Sequence, residues 1–189
     1  MGFKSIGLVG RAQSGKDTVG ARLRQHYGYQ RVAFADRLKA DALRVNPIIP
    51  TSYGVTTRLA TLVNAVGWDY AKTTYPEVRA LLQRYGQTVR GTDPDYWVRA
   101  AEPAIVAAER LGLPVVVTDV RYENEARALQ ARGFSLIRVT RPGAGAGANA
   151  DHESETALDG VKVALTIANT GTVEDLNRIV DSLLLPRSR

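Results

Sequence analysis

The sequence contains no cysteine, only two histidines (His26 and His152) and no long apolar run. The absence of cysteine excludes disulfides, thiolate zinc sites and thiol nucleophiles. Two histidines are too few for a histidine-rich metal centre. No stretch of about 18 apolar residues is present, so the sequence predicts no transmembrane helix and no membrane partner. The N-terminus shows no basic-then-apolar leader, which predicts a cytoplasmic protein.

Charge is unbalanced toward the basic side. The chain has 25 basic and 19 acidic residues, a net charge of +6, and arginine supplies 20 of the basic residues. Such a balance suits nucleic acids, anionic membranes or phosphorylated small molecules. Because the arginines are scattered and form no basic block, we do not expect nucleic acid to be a partner.

The length of 189 residues, 44% of them hydrophobic, indicates one domain with a small insertion. Short apolar runs alternate with helical patterns, which predicts an α/β domain around a five-stranded, mostly parallel sheet. The expected strands are 3–9, 31–35, 115–118, 134–140 and 163–168. Residues of about 47–112 then form a helical insertion between the second and third strands.

Proline and glycine divide this insertion. We expect a break over 46–54, a weak helix over 56–66 that stops at Gly67, and a helix over 76–85 that stops at Gly86. Asp93 and Pro94 read as the cap and first residue of the next helix, which Pro103 should kink or split.

The strongest functional motif is Gly10-Arg11-Ala12-Gln13-Ser14-Gly15-Lys16-Asp17-Thr18. It has the spacing of a phosphate-binding P-loop up to the lysine, and it lies after a strand and opens a helix. The glycines let the backbone turn its N–H groups toward phosphate oxygens, and the helix N-terminus adds partial positive charge. Lys16 is expected to reach the β- and γ-phosphates.

One position departs from this motif. Asp17 stands where serine or threonine usually contacts Mg²⁺, and Thr18 follows one residue later. Either Asp17 meets the metal through water or Thr18 faces the α-phosphate. Asp119 is a third candidate for holding Mg²⁺ through water, and the sequence leaves these alternatives open.

Further polar residues follow the later strands. Asp119 and Arg121 come after the third strand, at the edge where ligands bind in open α/β sheets. Arg138 and Arg141 flank the end of the fourth strand, before a loop over about 141–152 that is rich in glycine and alanine and that we expect to close over a triphosphate. His152 ends that loop, and we interpret it as a hydrogen-bonding anchor.

These segments together resemble the phage deoxynucleoside monophosphate kinases, which belong to the P-loop nucleoside monophosphate kinase group. The shared stretches occur in the family's order and cover nearly the whole chain: 15–18, 38–39, 81–86, 95–98, 119–121 with Glu125, 141–143, His152 with Glu155, and 167–169. The resemblance implies a three-layer P-loop kinase fold. Gln87-Thr88 departs from the family's Thr-Asp pair, which leaves base specificity open.

The resemblance also implies roles for individual residues. ATP would be held by Arg11, Ser14, Gly15, Lys16, Asp17, Thr18, Arg138 or Arg141, and Asn169. The acceptor nucleotide would be held by Lys39, Arg79, Gln83, Gly86, Gln87 and Trp97. Asp119, Arg121 and Glu125 would lie between the two nucleotides. Trp97 would either stack on a base or belong to the core.

The sequence therefore predicts an ATP- and Mg²⁺-dependent kinase that phosphorylates a deoxynucleoside 5′-monophosphate, with Lys16, Asp119 and Arg121 as catalytic residues. Two alternatives remain at this point. One is another small-molecule P-loop kinase, similar to dephospho-coenzyme A kinase. The other is a nucleotide-switched module that binds nucleic acid. The oligomeric state, including a homodimer, stays open.

Overall fold

The computed structural model describes residues 4–52, 54–145 and 157–184. Its elements follow one another in this order: β1 Ile6–Val9, α1 Lys16–Tyr27, β2 Gln30–Val32, α2 Phe34–Val45, β3 Ile48–Ser52, β4 Val55–Arg58, α3 Leu59–Thr74, α4 Pro76–Thr92, α5 Tyr96–Arg110, β5 Val115–Val120, α6 Glu123–Ala131, β6 Ser135–Thr140, β7 Leu165–Ala168 and α7 Val173–Leu184. The chain divides into two compact units, residues 1–34 with 101–189, and residues 35–100. His152, interpreted from the sequence as a hydrogen-bonding anchor, lies outside the described residues.

The first unit contains a five-stranded sheet in the order β2-β5-β1-β6-β7. Every neighbouring pair of these strands is parallel. Helices α1 and α7 pack on one face through a buried cluster that includes Leu8, Leu23 and Leu176. On the other face, a Cβ at Gly7 would lie 3.0 Å from Leu129 of α6. The expected three-layer fold with a five-stranded parallel sheet is confirmed.

Helices α1 and α7 are also joined by a polar cluster. The Arg22 guanidinium donates two hydrogen bonds to the Asp181 carboxylate, at 2.9 and 2.7 Å, and the Tyr27 hydroxyl donates a third at 2.8 Å. The Arg22 and Tyr27 hydrogen bonds favour the charged carboxylate and lower the pKa of Asp181 to about 2. This cluster therefore links the first and last helices of the unit.

The second unit has its own core, formed by the hairpin and its flanking helices. Buried apolar residues of α2, β3, α3 and α4 pack together: Ala42, Ile49, Leu59, Leu62, Val63, Ala71, Val78 and Leu82. Asn46, with a φ of 49°, closes the end of α2. Its side-chain oxygen accepts a hydrogen bond from the Ala60 N–H, so Asn46 ties α2 to the start of α3.

The expected break over 46–54 is wrong. Residues 48–52 and 55–58 form an antiparallel hairpin, in which Pro50 pairs with Thr56. Both strands of a two-stranded sheet are edge strands, so a proline is tolerated there. The β-branched residues of this segment outweighed its prolines and glycine.

Helix boundaries in the second unit agree with the sequence-based prediction at Gly67 and differ elsewhere. Helix α3 begins at residue 59, and its backbone leaves the helical conformation at Gly67, where φ is 77° and ψ is 163°, so the expected stop at Gly67 is confirmed. A second helical segment then continues to residue 74. Helix α4 runs past Gly86 to Thr92. Helix α5 begins at Tyr96, two residues after Pro94, and includes Pro103 without being split.

Local contacts explain the ends of α4 and α5. The Asp93 carboxylate, just before α5, pairs with Arg99 and also accepts a hydrogen bond from the backbone of Asp95, and both lower its pKa. The Asp93 N–H donates to Val89 O at the end of α4. Further along α5, Glu102 and Glu109 both bind the Arg132 guanidinium, at 2.7 and 3.0 Å. These ion pairs lie on either side of Pro103 in sequence and fasten this part of α5.

Candidate active site

The P-loop connects β1 to α1 and turns through two glycines that no larger residue replaces without strain. Gly10 has a φ of 150° and Gly15 a φ of 105°. A Cβ at Gly10 would collide with Val139 O, and a Cβ at Gly15 would lie 2.6 Å from Asn169 Nδ2. Positive φ and close backbone approach both require glycine here. The loop thus has the tight curvature that turns backbone N–H groups inward.

Lys16 is the first residue of α1 and is buried. Its ammonium group donates hydrogen bonds to Gly10 O and, at 2.7 Å, to Arg11 O. These bonds hold the ammonium group of Lys16 against the backbone of the loop. Its positive charge attracts an anion that binds there.

Ser14 is buried under the same loop. Its Oγ has no hydrogen-bond partner among the described residues, and it faces Gly10, where a Cβ would lie 2.9 Å away. A buried hydroxyl without a partner is costly, which indicates that a ligand or water completes its hydrogen bonding. The Ser14 carbonyl oxygen accepts a 3.0 Å bond from the Asn169 side chain.

Asn169 follows β7 and ties two segments together. Its side-chain amide holds the P-loop through Ser14 O, and its own N–H donates to Thr140 O at 2.7 Å. The side chain is buried. Asn169 therefore supports the shape of the loop, and its place near an adenine ring stays a prediction.

A cavity of about 340 Å³ opens above the P-loop at the carboxyl ends of β1, β5 and β6. Four arginines line it: Arg11, Arg121, Arg138 and Arg141. Arg138 donates to Leu158 O at 2.6 Å and Val161 O at 3.0 Å. The cavity therefore concentrates positive charge beside the loop and fits a polyanionic ligand.

One acidic residue, Asp159, lines the same cavity. Its carboxylate lies 3.0 Å from Arg11 Nη2 and 3.9 Å from Arg138 Nη1. This contact has no signature in the sequence, because 148 residues separate Arg11 from Asp159.

Asp119 and Glu125 both accept hydrogen bonds from backbone N–H groups. Asp119 Oδ1 accepts from the N–H of Phe34 at 2.9 Å, at the start of α2. Glu125 is buried, and its Oε2 accepts from the N–H groups of Arg121 at 2.8 Å and Tyr122 at 3.1 Å. Glu125 thereby fixes the backbone of Arg121 where that residue enters the cavity. Contact of Glu125 with an acceptor stays a prediction.

The loop after β6 meets the P-loop. Gly145 N–H donates to Ala12 O at 3.0 Å, and Ala144 N–H donates to Arg141 O. Arg141 is exposed and lines the cavity. The remainder of the expected closing loop, including His152, lies outside the described residues.

The expected acceptor residues lie in the second unit. Trp97 is buried; its Nε1 donates to Gly86 O at 3.3 Å, and it makes edge-to-face contacts with Tyr85 and Tyr96. Burial raises the pKa of Tyr85, with Asp41 and Tyr96 contributing, so its hydroxyl stays neutral. Trp97 is thus a core residue, and base stacking by Trp97 stays a prediction.

Three polar side chains lie at intervals of four residues along α4. Arg79 is exposed, and Gln83 and Gln87 are half-buried. The spacing puts them on one face of the helix. Lys39 of α2 lies 5.9 Å from the centre of the Trp68 ring. These residues offer cationic and amide donors of the kind that bind phosphate and base edges.

The donor set around the P-loop suits Mg²⁺, which prefers hard oxygen ligands. Asp17 is exposed in the first turn of α1, Thr18 is half-buried, and Asp119 closes β5. In the described part of the chain, no group of three or more histidine or acidic residues is placed to hold a metal. Mg²⁺ at a phosphate site is commonly bound by only one or two carboxylates beside the phosphates, so Asp17, Thr18 and Asp119 fit this metal without a larger cluster.

Among the helices of the described residues, none combines the length and the apolar character that a membrane span requires.

Comparison with known proteins assigns the family. The model of the family described as deoxynucleotide monophosphate kinase matches residues 52–180, about two thirds of the chain. The chain belongs to the deoxynucleotide monophosphate kinase family. The P-loop lies before the matched residues, so its geometry and the family match are independent observations. Together they describe a member of this family that carries a P-loop.

Two curated proteins with similar sequences come from a virus. The chain is 34% identical over 111 residues, 58% of this chain and 49% of the relative, to "Uncharacterized protein ORF77" of Ictalurid herpesvirus 1 (strain Auburn). It is 31% identical over 106 residues, 54% and 44% of the two chains, to "Uncharacterized protein ORF76" of the same virus. The chain spans about half the length of the curated relatives it matches.

The fold is also similar to that of a solved kinase. The structure of dephospho-CoA kinase from Campylobacter jejuni superposes with a TM-score of 0.54 at 10% identity, over 95% of this chain and 94% of that one. At this identity the similarity concerns the fold alone. It agrees with the parallel sheet and P-loop described above.

Proposed function

We propose that this protein transfers the γ-phosphoryl group of ATP to a deoxynucleoside 5′-monophosphate and releases the diphosphate and ADP. One observation carries the proposal: a tightly curved P-loop, with a buried lysine and a serine hydroxyl that has no partner among the described residues, opens into a cavity lined by arginines. The family match supplies the class of acceptor. We further propose that the protein acts in the cytoplasm, that of the host cell if it is of phage origin, without a membrane or nucleic-acid partner.

The donor triphosphate binds in the P-loop in this proposal. Backbone N–H groups and the hydroxyl of Ser14 donate to phosphate oxygens, and Lys16 exchanges its two carbonyl partners for phosphate oxygens. The cavity arginines neutralise the remaining charge through their paired N–H donors. Magnesium, held by Thr18 or through water by Asp17 or Asp119, would supply further charge neutralisation between the phosphates.

Transfer needs no strong general base, because the acceptor oxygen already belongs to a phosphate anion. Catalysis consists of in-line positioning and of stabilising charge as it spreads over the transferring group. Lys16 and Arg121 supply that charge from protein side chains. Glu125 keeps the backbone of Arg121 in place for this task.

The acceptor is held by the second unit in this proposal. Lys39 and Arg79 bind its phosphate or sugar, and Gln83 and Gln87 donate and accept hydrogen bonds at the base. Gly86 leaves space for the acceptor beside α4. Trp97 supports this part of α4 from the core through its hydrogen bond to Gly86 O. The supporting observations are the shared α4 face and the fixed position of Trp97 under Gly86.

An ADP-release assay tests the proposal across all deoxy- and ribonucleoside monophosphates, with dephospho-coenzyme A as the competing acceptor. We expect ADP release that depends on a deoxynucleoside monophosphate and exceeds hydrolysis without acceptor. Turnover with dephospho-coenzyme A and none with nucleotides would instead assign the chain to another small-molecule kinase. A DNA-dependent mobility shift without turnover would support a nucleic-acid-binding module.

A further inference from the structure

Asp159 brings a negative charge into a cavity whose other described charged residues are four arginines. Its two oxygens face different arginines: Oδ2 lies 3.0 Å from Arg11 Nη2, and Oδ1 lies 3.9 Å from Arg138 Nη1. A phosphate group presents oxygens to guanidinium donors in the same way. The carboxylate therefore occupies, in the ligand-free protein, positions that phosphate oxygens would take.

The turn that carries Asp159 is itself fastened to one of these arginines. Arg138 Nη2 donates to Leu158 O at 2.6 Å and to Val161 O at 3.0 Å, on either side of Asp159. The Arg138 side chain is only 18% exposed. The carboxylate is thus kept beside the cavity by backbone bonds as well as by charge.

The ion pair with Arg11 is open to solvent. The side chains of Arg11 and Asp159 are 46% and 53% exposed. An exposed pair contributes little free energy, and an anion of higher charge exchanges with it readily. Whether Asp159 leaves or stays when that anion binds, its charge opposes binding.

We propose that Asp159 is an internal counter-anion that competes with the triphosphate for Arg11 and Arg138 and thereby sets the phosphate affinity of the site. The inference rests on the proposed function, because it takes the cavity as the triphosphate site. In the ligand-free protein Asp159 keeps both arginines beside the cavity. On binding, the polyanion takes over their donors, so Asp159 selects for ligands of high charge.

A direct nucleotide contact by Asp159 leads to the opposite expectation. A carboxylate that accepted hydrogen bonds from ribose hydroxyls, or from water on the metal, would contribute to ATP affinity. Its removal would then weaken the binding of ATP and leave inorganic tripolyphosphate unaffected. Asp159→Asn separates the two roles, because it keeps the shape and removes the charge.

Titration calorimetry on the full chain tests the proposal with inorganic tripolyphosphate and with ATP. We expect Asp159→Asn to bind tripolyphosphate about two- to fivefold more tightly than the wild type, and ATP more tightly as well. Asp69→Asn is the matched control: it removes the same charge from an ion-paired aspartate that is 98% exposed, and its affinities should equal those of the wild type.

Unchanged or weaker tripolyphosphate binding by Asp159→Asn would overturn the inference. Lys16→Ala separates that failure from failure of the proposed function. If tripolyphosphate binding depends on Lys16 but not on Asp159, the triphosphate site stands and only this inference falls. If neither the wild type nor Asp159→Asn binds tripolyphosphate or ATP, the proposed function falls with it.

Discussion

In the proposed donor site, the fold holds a few polar and charged side chains in place. Lys16 donates to two carbonyl oxygens of its own loop, Glu125 accepts from two N–H groups, and Asn169, which follows β7, donates to Ser14 O. Each of these contacts holds a charged group or the loop backbone near the cavity. The first two make separable predictions.

Replacing Lys16 with alanine should remove transfer while the fold persists. In the proposed mechanism the ammonium group provides charge in the transition state, and loss of such a group typically lowers kcat by about 10²- to 10³-fold. Lys72→Ala, which removes a lysine paired with Asp69 on α3, should keep full activity. Steady-state kinetics and circular dichroism of both variants check this, and near-normal turnover in Lys16→Ala would contradict the assignment of the loop.

Glu125→Ala should both destabilise the protein and lower kcat. The change leaves two backbone N–H groups without their acceptor, at a cost of about 2–3 kcal/mol in the free energy of unfolding. Arg121 then loses its fixed backbone, so kcat should fall more than KM rises. Urea denaturation and kinetics measure both effects. Glu123→Ala, on the exposed side of the same helical turn, is the control and should change neither; equal effects would contradict a positioning role.

Residues of the candidate site differ in whether their position there can be predicted from the sequence. The P-loop follows a fixed local spacing, so Gly10 to Thr18 are recognisable without a structure. Asp159 has no such signature, because its partners Arg11 and Arg138 are distant along the chain and meet it only in the folded state. The capping of α6 by Glu125 is local, but its two N–H contacts become evident only from the geometry.

Helices and strands were predictable where burial dominates. The strands β1 and β5 are short apolar runs buried on both faces, and β6 roughly alternates polar and apolar residues. Both patterns can be found without tertiary information. The second unit was harder to predict. There the prolines and glycines at 47, 50, 54 and 86 indicated breaks, whereas packing around Ile49, Leu59 and Leu82 holds the hairpin and long helices together.

Helix α4 offers a test that uses its two glycines, Gly86 in the interior and Gly91 in the last turn. A Cβ at Gly86 would lie 3.7 Å from Leu38, and a Cβ at Gly91 would meet nothing within 4 Å. Alanine at Gly86 should raise the free energy of unfolding by about 0.5–1 kcal/mol, and alanine at Gly91 should raise it by less. If Gly86 borders the acceptor, Gly86→Ala should also raise KM for the monophosphate, whereas Gly91→Ala should not. Equal KM values in the two variants would remove Gly86 from the acceptor site.

The link between α1 and α7 predicts a pH dependence of stability. The pKa of Asp181 is about 2 in the folded protein, below its ordinary value of 3.8. A lowered folded-state pKa means that the stabilisation is present above about pH 4 and is lost as the pH falls toward 2. The difference in unfolding free energy between the wild type and Asp181→Asn should therefore shrink over this range. Urea denaturation at several pH values measures it, with the exposed Glu174→Gln as control; a constant difference would contradict the role of the carboxylate.

The P-loop and the family match lie in different parts of the chain. The P-loop motif covers residues 10–18, whereas the family match begins at residue 52 and extends to 180. The matched residues include parts of both compact units. The proposed kinase activity needs a donor site and an acceptor. The loop supports the donor site, and the family match supports the class of acceptor.

Transfer of label from ATP carrying a radioactive γ-phosphate tests the central claim most directly. With a deoxynucleoside monophosphate present, the account predicts that the label appears in the deoxynucleoside diphosphate, and that Lys16→Ala abolishes its appearance. Label found only in inorganic phosphate, or in no product with any of the monophosphates, would contradict it.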